Sequence, residues 1–280
     1  MKKMMIKIKN VVKQIFKIIK KPVMLMLPGE VAFSLFLSIF PIITLVGFVA
    51  STLGVSIANL FEWFGTVLPK QIADMLLIQG NASSLNVVIF TIIGFFVASN
   101  GPQSILVASN VLYEEPQDNG IKRRVKAIIM TILLVFMLIM IAVILAFGKQ
   151  ILNFLLNFEG IKIVTTTIYN VFKVLKWPVM ALFIFFIIKM IYTMLTPPHV
   201  SSKSTNLGAI FTTLGWMITT AIFSYYVVNI ADYGIFYGSL SSIIIFIMWI
   251  YLLSYILVIG IGINSAIYLE NKKEIKEDDK

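Results

Sequence analysis

Asn100, Gln103, Asn110 and Glu114 lie at intervals of 0, +3, +10 and +14. At helical spacing, this puts three amides and one carboxylate along a single stripe. Amide side chains donate and accept hydrogen bonds without changing charge. Gly101-Pro102 sits among them, and a proline there removes a backbone donor and frees a carbonyl. A second set lies upstream. Ser34, Ser38 and Pro41 are spaced i, i+4, i+7 and share one helical face, with the carbonyl of Leu37 freed by Pro41. Two uses fit both sets: a polar path through the protein, or a seam that holds helices together.

Composition removes most other chemistry. With no cysteine there is no disulfide, no thiol catalysis and no cysteine metal site, and a single histidine, His199, leaves no multi-histidine centre. His199 reads as a loop residue in Thr-Pro-Pro-His-Val. Glu114 and Glu115 stand in a loop next to basic residues, a poor setting for paired acid–base work. No catalytic residue, metal or cofactor is expected, and the chain is not expected to be an enzyme.

The elements that carry these residues are membrane spans. The 280 residues are 59% hydrophobic and 13% charged, with a mean hydropathy of +0.95, whereas a soluble domain would be about 25% charged. Six apolar stretches are long enough to cross a hydrocarbon core of about 30 Å: about Val31–Leu53, Leu85–Tyr113, Ala127–Phe147, Trp177–Leu195, Leu207–Ile230 and Ser239–Ile263. The expected fold is therefore all-α, a polytopic bundle of six transmembrane helices at residues 27–269. The third span is nearly featureless and is expected to face lipid. The fourth contains Lys189, read either as snorkelling to the surface or as an intramembrane ion-pair or anion site. In the fifth, Gly208 and Gly215, Thr212 and Thr219, and Asn206, Thr213 and Thr220 each repeat every seven residues, which suits close helix contact. The outer segment at 54–84 carries Phe61, Trp63 and Phe64, suited to an interfacial belt, 149–176 suits an amphipathic surface pair, and 232–238 is the third outer loop.

Residues 1–26 read as a basic amphipathic helix lying on the membrane surface. Lys9, Lys13, Lys17 and Lys20 recur at helical spacing, with Lys21 beside them and an apolar set of Ile8, Val11, Val12, Ile15 and Ile19 on another face. Glu114 to Lys126 reads as a cytoplasmic loop with Lys122, Arg123, Arg124 and Lys126, and residues 270–280 as a charged, solvated cytoplasmic tail. The expected partners of these basic groups are anionic lipid headgroups. No stacking aromatics interleave the loop patch, so nucleic acid is not expected. A homo-oligomer is compatible with the sequence. Seventeen of the 23 basic residues fall inside if both termini are cytoplasmic, and that bias sets a multi-pass orientation in the bacterial inner (plasma) membrane.

Three stretches in order resemble the YihY/BrkB family of integral membrane proteins, once labelled "ribonuclease BN". They are Val31-Ala32-Phe33-Ser34 through Ser38-Ile39-Phe40-Pro41, then Gly101-Pro102-Gln103 through Ser109-Asn110-Val111-Leu112-Tyr113, and Tyr237-Gly238-Ser239-Leu240 through Trp249-Ile250-Tyr251 to Gly260-Ile261-Gly262-Ile263-Asn264. The likeness runs over nearly the whole chain. It departs at Phe33 and Ser34, where the family usually has tyrosines, and at Gly262, where it often has an acidic residue. The resemblance implies a six-helix inner-membrane protein, linked in some members to virulence and serum resistance, with no settled biochemical activity to carry over. The function expected is a transporter or lipid-translocating protein, with a non-transporting envelope scaffold or assembly factor as the alternative.

Overall fold

A computed structural model describes residues 2–52, 92–116, 119–156, 165–197, 201–230 and 237–278. Among them there are helices and no strands. They are α1 (Lys2–Ile19), α2 (Val23–Thr52), α3 (Asn100–Tyr113), α4 (Gly120–Leu156), α5 (Thr165–Leu195), α6 (Asn206–Asn229) and α7 (Ser241–Asp278), with single 3-10 turns at Ser202–Thr205 and Gly238–Leu240. A further helical run, 92–98, leads into α3.

Among the described residues, four stretches are long and apolar enough to cross a membrane: Ile92–Tyr113, Trp177–Leu195, Ser202–Asn229 and Ile243–Lys273. A fifth is added if Lys9–Ile19 and Val23–Ile39, which meet at 69°, count as one bent span. Of the six expected crossings, four are thus matched outright. The first enters only through the bent pair, and the third is helical within α4 but is not among the four. The outer segment at 54–84 and His199 lie outside the described residues. So do 157–164 and 231–236 of the other two outer segments.

α7 is the axis of the bundle and packs on α6, α2, α1 and α3. Its sequence allows this because Ser254, Gly260, Gly262, Ser265 and Ala266 are all buried and small, so four neighbours can approach. The main core joins Ile18 of α1, Met24 and Val31 of α2, Leu112 of α3, Met130 of α4, Ile188 of α5 and Val258 of α7. Large apolar side chains such as Leu25, Phe33, Phe186 and Ile222 point outward, as suits lipid in place of water.

Two expectations are corrected. The basic residues Lys122, Arg123, Arg124 and Lys126 are not in a loop, because α4 begins at Gly120 and carries them on its first turns. Lys and Arg are good helix formers, and nothing between Gly120 and Ala127 stops a helix. The third span does not simply face lipid, since Ala127, Met130 and Thr131 are fully buried. α7 continues to Asp278, so residues 270–278 of the expected tail are helical.

Candidate functional site: a helix break closed by neighbouring side chains

The break sits between 92–98 and α3, at Ser99, where the chain leaves regular helix. Pro102 explains it. Its ring nitrogen has no hydrogen, so the carbonyl of Ala98 loses its i+4 donor, and its ring crowds that carbonyl. The loosened backbone is answered by local hydroxyls. Ser99 Oγ donates to the Phe96 carbonyl at 2.8 Å and Ser104 Oγ to the Gly101 carbonyl at 2.7 Å.

α2 supplies the next partner. Ser38, fully buried, donates its hydroxyl to the Ser34 carbonyl at 2.7 Å and accepts the Gly101 N–H at 2.8 Å. A hydroxyl can do both at once. The two backbones are close because residue 101 has no side chain: a Cβ there would come within 2.8 Å of Leu35 Cδ2, 3.0 Å of Ser38 Oγ and 3.3 Å of Leu35 Cα. Pro41, half-buried, lies within α2 without ending it.

α4 supplies the third partner. Arg124 places Nη1 on Asn100 Oδ1 at 2.9 Å and on Gln103 Oε1, and Nη2 on the Phe96 carbonyl at 2.8 Å. Its guanidinium carbon lies 3.6 Å from the centre of the Phe96 ring, a cation–π contact. A planar fork with fixed donors can satisfy two amides and a carbonyl together, which an ammonium cannot. Arg124 Nε is buried without a hydrogen-bond partner among the described residues. Asn100 and Gln103 therefore meet, as their shared stripe implies, and a cation from the next helix holds them.

The stripe does not continue to its end. Asn110 is half-buried and contributes its backbone carbonyl, which receives the N–H groups of Glu114 and Glu115. Glu114 is not on the helix face at all: it caps α3 in a left-handed conformation, φ 55°. It turns instead to α1, with Lys21 Nζ at 2.7 Å. That hydrogen bond, with the charges of Lys21, Lys17 and Lys273, holds the Glu114 carboxyl below the usual carboxylate range against an opposing effect of burial. Glu115 turns to α7, where Tyr268 O–H donates at 2.6 Å and Lys272 Nζ at 2.9 Å. The Tyr113 and Tyr268 rings pack tilted at 52°, 5.6 Å between centres, and Ser265 Oγ donates to the Leu112 carbonyl. The end of α3 thus ties both ends of the chain together. Glu115, Tyr268 and Lys272 were not singled out by sequence. The only available signal was the adjacent Glu-Glu pair facing a lysine-bearing tail.

A second polar seam joins α5, α6 and α7. Asn264, 1% exposed, accepts the Gly208 N–H at 2.9 Å. Tyr192 lies 2.6 Å from Thr212 Oγ1 and donates to the Leu257 carbonyl at 2.8 Å, and Trp216 Nε1 donates to the Leu253 carbonyl at 2.9 Å. A methyl at Gly208 would collide with the Gly260 carbonyl oxygen, and one at Gly260 with Thr212 Oγ1 and Tyr192 Oη. Tyr192 escaped the sequence reading because one hydroxyl in an apolar span breaks no pattern.

The remaining candidates are scattered. Lys189 is half-buried on α5, where its carbonyl accepts Thr193 Oγ1 at 2.8 Å. Lys9, Lys13, Lys17, Lys20 and Lys122 are exposed, and Arg123 is half-buried. Chemically, the break offers neutral acceptors closed on a fixed cation. It holds α2, α3 and α4 together.

A family model described as virulence factor BrkB matches residues 20–280. A putative ribonuclease-like protein, YfkH, of Bacillus subtilis (strain 168) is 28% identical over 176 residues, 62% of this chain and 63% of that protein. The UPF0761 membrane protein PSHAa0171 of Pseudoalteromonas translucida (strain TAC 125) is 30% identical over 88 residues, 31% of this chain and 29% of that protein. The matched region therefore spans under two thirds of either relative. No solved structure matches the chain.

Proposed function

Because the chain belongs to the virulence factor BrkB family, and because an apolar span is broken where a cation can grip it, we propose that it is a transporter or lipid-translocating protein of the cell membrane. The carrying observation is Arg124 bridging Asn100, Gln103 and the Phe96 carbonyl across the Gly101-Pro102 break. Discontinuous helices often line transport sites, because unwound backbone there can be tolerated only against protein or water. On this reading the present arrangement is the closed state, and opening exchanges the Arg124 contacts for a polar or amphiphilic substrate. The chain crosses the membrane six times with both termini in the cytoplasm, the arrangement that the uneven distribution of its basic residues supports. No catalytic step is part of the reading. Among the described residues no cluster of His, Cys, Asp or Glu could hold a metal ion for the hydrolysis that the Bacillus relative's name suggests.

Purified protein in lipid vesicles tests this, with dye-labelled lipid scrambling and small-solute efflux as readouts. Wild-type protein is expected to speed one of the two, and Asn100→Ala with Gln103→Ala to slow it. Rates equal to those of protein-free vesicles for both readouts would sink the proposal.

The second reading is a scaffold or assembly factor of the envelope. It is favoured by a specific observation: Ser38, Asn100 and Gln103 all already have protein partners. A stable partner protein co-purifying with a chain that moves no solute would decide for it.

A further inference from the structure

α1 carries three distinct faces. At about 100° per residue, Lys9, Lys13, Lys17 and Lys20 fall within a sector about 80° wide, and all four are exposed. Roughly opposite, Ile18 is fully buried and Ile15 half-buried. Ile18 Cγ2 lies 3.3 Å from where a Cβ on Gly262 of α7 would stand. The two flanks differ. One exposes Val12 and Phe16, at 45% and 60%. The other holds Asn10, Gln14 and Lys21, with Lys21 paired to Glu114. The helix also meets the following one at 69°.

A helix pinned by one face to the bundle, turned well away from the spanning direction, with an apolar flank and a cationic outer face, presents the surface that a charged bilayer fits. An acidic soluble partner would account for the lysines but leave Phe16 unexplained. We propose that Val12, Phe16 and the four lysines dock α1 onto an anionic phospholipid leaflet, and that leaflet charge thereby holds Ile18 on Gly262 and Lys21 on Glu114. The lipid and α7 then grip opposite sides of one helix, and each strengthens the other's hold by linkage. This inference does not depend on transport.

The chain has no cysteine, so a spin label at Phe16→Cys or Asn10→Cys in the full-length protein is unique. The protein is placed in phosphatidylglycerol vesicles or in phosphatidylcholine vesicles. In phosphatidylglycerol, the label at 16 should collide with oxygen more than with a water-soluble nickel reagent, and the label at 10 the reverse. Phosphatidylcholine, or Lys→Gln at 9, 13, 17 and 20 together, should release the label at 16 to water. Each lysine near such a surface contributes about fivefold, so four give a shift on the order of several hundredfold. The replaced side chains are exposed, so the variant keeps its fold. Three outcomes overturn the proposal: a label at 16 in water in phosphatidylglycerol, one shielded from both reagents as a protein partner or second copy would shield it, or one indifferent to lipid charge and to the lysines.

Discussion

Gly94 and Gly101 lie seven residues apart in the same broken span, and replacing each with alanine should give opposite results. Among the described residues, a Cβ at Gly94 meets nothing within 4 Å. Gly94→Ala then gains only helix propensity, up to about 1 kcal/mol. At Gly101 the added methyl stands 2.8 Å from Leu35 Cδ2, which can swing aside, but also 3.3 Å from Leu35 Cα, which belongs to the α2 backbone. α2 and α3 must part by a few tenths of an ångström or more. Overpacking of this kind costs about 1–3 kcal/mol. The Gly101 N–H bond to Ser38 stretches with it, losing about 0.6 kcal/mol by the average for hydrogen bonds inside membrane proteins. Set against a propensity gain of at most about 1 kcal/mol, Gly101→Ala should come out about 1–3 kcal/mol less stable than wild type. The two variants should therefore differ by about 2–4 kcal/mol. Reversible unfolding in mixed micelles, followed by circular dichroism against the mole fraction of dodecyl sulfate, measures this directly. If Gly101→Ala matches or exceeds wild type, or if the two alanine variants coincide, the close crossing of α2 and α3 at the break is wrong.

Two further outcomes follow from the same geometry. Arg124→Gln leaves Asn100, Gln103 and the Phe96 carbonyl without a charge-assisted donor and should cost about 1.5–3 kcal/mol. Arg124→Lys should recover little of that in the same unfolding assay, because one ammonium cannot span all three acceptors. The Glu114 carboxyl is held below its ordinary value of 4.5, first by the Lys21 hydrogen bond, so its contribution is complete above that value and is lost as the pH falls through the folded-state value. Its side chain is 56% exposed, so the loss should stay under about 1 kcal/mol and shrink in salt. Glu114→Gln should flatten this acid limb in a pH series of unfolding curves, and an unchanged acid limb would remove the Lys21–Glu114 clasp.

Where the helices lie was legible because hydropathy is a local property: any window of about twenty apolar residues announces itself. Partners were not, because they are fixed by how distant segments pack. Asn100 and Gln103 share a face by spacing alone, yet nothing in that spacing names Arg124, which reaches them from another helix beyond a turn. The stripe was carried too far at Glu114, where the signal was present but outweighed by periodicity. Pro116 follows two residues later, and a proline just past a left-handed cap is a common way for a helix to stop. The basic residues from Lys122 onward were assigned to a loop by charge, although charge says which side of the membrane a segment lies on and nothing of whether it is helical.

Glycine stripes show why spacing alone cannot separate a path from a seam. Gly94 and Gly101, like Gly208 and Gly215, repeat every seven residues. Yet among the described residues nothing lies where a Gly94 methyl would stand, while a methyl at Gly101, Gly208 or Gly215 would have to displace atoms of a neighbouring helix. The same division holds for the polar groups. By sequence Ser38, Asn100 and Gln103 suit either a lining or a seam, and in the structure each bonds across helices. A bundle that opened along α3 would have to break these bonds first, at a modest cost for each neutral bond and a larger one for Arg124. To part this seam, the proposed transport requires a ligand that offers Arg124 a stronger acceptor, such as a phosphate. On that proposal path and seam are two states of one contact, and Arg124 is the group whose choice of partner separates them.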